Sequence, residues 1–193
     1  MANLTDLAAV RQALKMTGTG DDVRVTELLS VVDADIQGYC GRDLFSATLT
    51  EYFTAEGEGC DRLLVNEWPI TSVTSVHVST DLPRVYDSTT LLTADEDYIT
   101  HLEAGVIDRV DNGIFPKNSR ATKVIYVGGY ATIPKDLEWA AIECISYHLQ
   151  RSKHHLHHLT SINTDHGDLV GVRFNIPDTA RVILDRYRNR EAS

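Results

Sequence analysis

The sequence predicts an α+β fold, a helical core interrupted by an antiparallel β-rich insertion. Three observations predict it. The stretches 4–40 and 134–149 place apolar residues at steps of three and four. The run between them, 48–127, is rich in Thr, Val, Ile and Tyr and is broken by turn residues. The length of 193 residues suits one domain with a sizeable insertion. We expect a single domain with its helical core at 1–43 and 130–160, the insertion at 44–129, and a C-terminal tail at 173–193.

Thr5 is the expected cap of a first helix, with Asp6 in its first turn. Leu4, Leu7, Val10 or Arg11, and Leu14 follow helical spacing until MTGTGDD breaks it. A second helix is predicted from about Val23 to Cys40. Its apolar stripe is Val25, Leu28, Leu29, Val32, Ile36, Tyr39 and Cys40, and Gly41 is a natural residue to end it. Asp33 and Asp35 read as its solvated side. Six strands are expected, in TLTEYFTAE, RLLVN, ITSVTSVHVS, DYITHL, GVIDRV and KVIYV. GEG at 57–59 and EAG at 103–105 read as hairpin turns, and 81–97 as a longer exposed loop. Pro69 stands just before a strand, where its missing N–H does no harm.

Pro134 then opens a long helix. Leu137, Ala141, Cys144 and His148 form one face, and Trp139, Ile142, Ile145 and Leu149 an adjacent one. So broad an arc packs on two sides, within the fold or against a neighbouring subunit. The chain ends in a short helix with the stripe Ala180, Ile183, Leu184 and Tyr187, and five arginines fall between Arg173 and Arg190.

Apolar residues make up 42% and charged residues 24%, the balance of an ordinary globular protein. No apolar run is long enough to span a bilayer, and the N-terminus shows no signal peptide. Synthesis in, and retention by, the cytosol is the expectation. Cys40, Cys60 and Cys144 are odd in number and widely spaced, which argues against a disulfide framework or a zinc knuckle. The net charge of −10 gives no overall basic balance for gripping DNA. It suits a surface that DNA slides past.

The run VGGYATIP tempts a phosphate-site reading, but it has neither GxxxxGK[ST] nor GxGxxG. A Gly-Gly turn that redirects the chain is the better reading. In KHHLHHL, His154 and His158 stand four apart, a spacing able to chelate metal on a helix. No glutamate lies between them, so HExxH is missing; imidazoles at a helix C-terminus are the bland alternative. No GxSxG elbow exists, and Asp95, Glu96 and Asp97 read as a solvated turn. Nothing amounts to a catalytic constellation, and no cofactor is expected.

Three motifs in order carry a resemblance. They are the helix-ending pair Gly41-Arg42; Pro69, Ile70, Ser72 and Val73 at a strand start; and Tyr126, Gly128, Gly129, Tyr130, Ile133, Pro134, Asp136 and Leu137 at a turn into a helix. In this order they resemble the head–tail connector (adaptor, or head-completion) proteins of tailed bacteriophages. The ending IPDTARVILDRYR is similar to endings in that group, so the likeness runs over about 4–190.

The resemblance implies a structural virion protein made in the bacterial host. It implies a ring, usually of twelve copies, beneath the portal, joining capsid to tail around a lumen through which DNA passes. The implied partners are the portal protein, a tail-completion or tail-terminator protein, and further copies of the chain, with no membrane involved. On that reading Trp139, Ile142 and Ile145 lie near subunit contacts. Arg181, Ile183, Leu184, Arg186, Tyr187 and Arg188 form a tail that orders on docking to the portal. Two alternatives stand beside it: a metal-dependent hydrolase using His154 and His158, and another virion interaction module such as a tail-completion protein.

Overall fold

The structure is a computed structural model and describes residues 3–55, 59–110, 112–153 and 176–189. Its Cα positions form two compact units, Met1–Arg42 with Thr132–Ser193, and Asp43–Ala131. The fold is α+β, as the periodicities predict.

The first unit is helical. Helix α1 spans Leu7–Ala13 and α2 spans Asp22–Cys40. Asp6, not Thr5, caps α1: its carboxylate accepts the Ala9 amide at 2.7 Å, while Thr5 is buried. Arg11 donates to Asp22 at 2.5 and 2.6 Å, tying α1 to the start of α2 across the glycine-rich link. Helix α2 ends at Gly41, whose φ of 66° lies in the left-handed region that glycine enters without steric cost. Helix α3, Lys135–Lys153, follows directly after Pro134. Helix α4, Asp178–Leu184, runs on into a 3-10 turn over Asp185–Tyr187. Helix α3 packs against both α2 and α4.

The second unit is a pair of three-stranded antiparallel sheets. The strands are β1 (Ala47–Phe53), β2 (Arg62–Leu64), β3 (Ile70–Val78), β4 (Tyr98–His101), β5 (Val106–Arg109) and β6 (Thr122–Gly128). One sheet has the order β1-β6-β3 and the other β2-β5-β4. All six predicted strands are present, and EAG does turn β4 into β5. The hairpin expected at GEG is not made. β1 pairs with β6 and β2 with β5, so this connection leads from one sheet to the other. Residues 56–58 themselves lie outside the described residues.

Both sheets pack one face on a shared core built from Leu63, Ile70, Val76, Ile107, Val124 and Tyr126, among others. The central strand β6 alternates strictly, burying Thr122, Val124, Tyr126 and Gly128. The Tyr126 hydroxyl donates to Glu51 at 2.5 Å and accepts the Glu67 amide at 3.1 Å, so the largest core side chain is satisfied at its polar tip. The 81–97 loop is partly ordered on the sheet. The Val78 amide donates to the Thr90 carbonyl at 2.9 Å and the Leu92 amide to the Val76 carbonyl at 2.8 Å.

Candidate assembly surfaces

The Gly-Gly turn is closed to ligands by its own backbone. The Gly129 amide donates to the Pro69 carbonyl at 3.0 Å, and the Tyr130 amide to the Leu44 carbonyl at 3.0 Å. Gly128 lies in the β-ladder, where a Cβ would meet the Glu67 carbonyl oxygen at 2.5 Å. Gly129 has φ +92°, and a Cβ there would collide with the Phe45 backbone. The Gly129 and Tyr130 amides, which would help cradle a phosphate, are spent on carbonyls in the segments that lead into β3 and β1. The glycines serve close backbone approach.

The broad arc of α3 is covered within the chain. Leu137, Ala140, Ala141, Cys144 and Leu149 are buried, and so are Ile142 and Ile145, at 6% and 0% exposure. That corrects the expectation for the subunit face: Ile142 and Ile145 belong to the chain's own core. Of the three, Trp139 is half exposed. Burial pushes the Cys144 thiol up to about 12 and the Cys40 thiol up to about 11, which makes both poor nucleophiles.

The C-terminal segment is likewise docked. Ala180 and Leu184 at i and i+4, with Tyr187, turn inward and are buried. The Tyr187 hydroxyl donates to Asp136 Oδ1 at 2.5 Å, and Arg186 approaches Asp136 Oδ2 at 3.6 Å. The Tyr39 hydroxyl donates to Asp185 at 2.6 Å, and the Arg188 guanidinium lies 5.6 Å from the centre of the Tyr39 ring. The Asn189 amide donates at 2.7 Å to the Cys40 carbonyl, an orphan acceptor at the end of α2. A tail ordered only on reaching a partner is therefore not what 176–189 form. Leu184 and Tyr187 hold the subunit together. Arg181 is half buried and paired with Asp178 at 3.2 Å. The outer side offers Val182, Arg186 and Arg188, all exposed, with Ile183 half buried. Arg173 and Arg190 lie outside the described residues.

Asp33 corrects another expectation, since it is 7% exposed and not solvated. Its Oδ1 accepts the Leu4 amide at 3.2 Å, anchoring the segment before α1. Burial pushes its carboxyl up to about 6, against which the Leu4 bond acts weakly. The folded state thus favours the protonated acid. Its stabilising effect is full below the ordinary carboxylate range and is lost as pH rises through about 6. Asp33→Asn keeps an acceptor for Leu4 and removes the charge. Melting temperatures across pH 4–7 should fall for the parent chain over this window and stay flatter for the variant; parallel curves would exclude the effect. Asp35 is half exposed and lies 3.9 Å from His148.

His154 and His158 lie outside the described residues. Among the described residues no group of three His, Cys, Asp or Glu is arranged to hold a metal ion.

The profile of the family described as "Head completion protein" matches residues 3–190, and the chain belongs to that family. It is a structural head–tail connector of the virion, the class that the three ordered motifs resemble. No curated protein matches the sequence. Among solved structures, a chain of "Virion of native gene transfer agent (GTA) particle" is 20% identical, with a TM-score of 0.60 over 96% of this chain and 90% of that one. A chain of "Neck of empty GTA particle computed with C6 symmetry" is 18% identical, with a TM-score of 0.59 over 96% and 90%. A chain of "Neck of native GTA particle computed with C12 symmetry" is 18% identical, with a TM-score of 0.57 over 95% and 87%. At these identities the likeness is one of fold.

Proposed function

We propose that the chain forms a closed ring beneath the portal, joins capsid to tail, and lines part of the channel through which DNA passes. The observation that carries this reading is the family match over 3–190. A ring of twelve is supported by the similarity in fold to chains from neck particles computed with C6 and C12 symmetry. The net charge of −10 favours a wall that repels DNA rather than binding it. The partners on this reading are the portal, a tail-completion or tail-terminator protein, and copies of the chain itself. The protein acts without catalysis: the Gly-Gly amides are spent on backbone carbonyls and the family is structural.

The test is removal of the protein from an infected cell. Heads should fill with DNA but fail to join tails, and supply of the protein in trans should restore tailed particles. Tailed, infectious particles assembled without it would refute the proposal.

A further inference from the structure

The two sheets of the β-rich unit pack on one core, so their outer faces point away from each other. These faces differ in charge, and each exposes apolar side chains.

On the β1-β6-β3 sheet, Tyr52, Lys123 and His77 form one cross-strand row opposite the core side. Tyr86, from the 81–97 loop, lies over that row. Its ring centre is 5.7 Å from that of Tyr52 and 5.4 Å from Lys123 Nζ. The Arg120 guanidinium stands 4.0 Å above the Tyr52 ring. Tyr52, Tyr86 and Arg120 line a groove whose rim includes Leu82, 81% exposed. Residues 81–87 and 117–123 carry four cations against two acids, in a chain of net charge −10.

The outer face of the β2-β5-β4 sheet is the complement. Leu64 and Ile99 stand on it and Leu102 follows β4, all three nearly half exposed. Residues 59–64 and 95–110 carry six acids against two cations. One of those cations, Arg62, is engaged by Asp108 at 2.7 Å.

We infer that in the ring the basic, aromatic face of one copy, around Tyr52, Leu82 and Arg120, seats against the acidic face of the next copy, around Leu64, Ile99 and Glu103. This rests on the ring reading above. The occupant is a second copy because both complementary faces belong to the same unit and point oppositely. A contact between two different faces of identical subunits propagates head to tail, and it closes into a ring when the rotation from copy to copy completes a full turn. The apolar residues supply burial, and the charges set register and direction.

The test uses the full-length chain and follows ring assembly by native mass spectrometry, alone and with portal. Lys117→Glu with Arg120→Glu reverses one face; Asp61→Arg with Glu103→Arg reverses the other. All four positions are exposed. Each double variant should melt like the parent chain yet associate at least about a hundredfold more weakly, because like charges then meet. Mixing the two variants should restore rings of alternating copies. Leu82→Gln provides a second reading of the basic face, should its charge reversal unfold the chain, and should also weaken assembly. Variants that assemble as the parent does, or a mixture that stays apart, would overturn the inference. So would rings that persist while binding to a short DNA duplex is lost, which would assign the basic face to DNA. A parent chain that forms no ring in either condition would instead remove the ring reading itself, and this contact with it.

Discussion

Ile142→Asp should unfold the helical unit rather than release folded monomers. Ile142 is 6% exposed, on a helix that packs against α2 and α4. An aspartate there loses the burial of a large aliphatic side chain, roughly 1.5–3 kcal/mol. It also places a charge at a site closed to water. Together these take a large share of the about 5–15 kcal/mol that holds a typical domain folded. Circular dichroism should show lost helix at room temperature. Ile145→Ala, at a fully buried position, should cost about 2–5 kcal/mol and lower the melting temperature without changing the fold. Trp139→Ala, at a half-exposed position, should leave the melting temperature nearly unchanged. A folded, monomeric Ile142→Asp chain would return this side of α3 to the subunit interface.

Deleting residues 176–193 should destabilise the subunit before any partner is considered. The deletion strips Ile176, Leu184 and Tyr187 from the core, each worth roughly 1.5–3 kcal/mol when buried. It also removes the Asn189 amide from the Cys40 carbonyl and the Tyr187 hydroxyl from Asp136. The truncated chain should aggregate or expose its helices to protease. Milder changes separate folding from docking. Leu184→Ala should lower stability by about 2–5 kcal/mol. Arg186→Gln with Arg188→Gln, both on the exposed side, removes one ion pair and one ring contact without adding a like charge beside Asp136; it should lower the melting temperature only slightly and, on the proposed reading, weaken attachment to portal. Hydrogen exchange supplies an independent check: amides of α4 should be protected in the isolated subunit. A deleted chain that melts like the parent would show that the segment contributes little to the fold.

Element types were legible because their periodicity is local. The alternation of KVIYV and the stripe of Val25, Leu28, Leu29, Val32 and Ile36 require no knowledge of neighbours. Pairing was less legible, because β1 reaches β6 across about seventy residues and no local signal marks that closure. The width of the α3 arc was readable, but sequence does not say which surface covers it. The cover is supplied by α2 and by a segment from the far end of the chain. The same ambiguity made the C-terminal stripe look like a ligand for a partner. The burial of Asp33 had a signal: position 33 lies four after Leu29 and three before Ile36, on the edge of the apolar stripe. The basic groove had none, because the row Tyr52–Lys123–His77 exists only once the strand register is known.

The central claim is that this chain is the ring that joins head to tail. Electron cryo-microscopy of the neck of intact particles tests it most directly. The account predicts a ring of twelve copies between portal and tail, each copy fitting the helical unit and the two three-stranded sheets. Neck density that accommodates no such fold, or this fold found elsewhere in the particle, would contradict it.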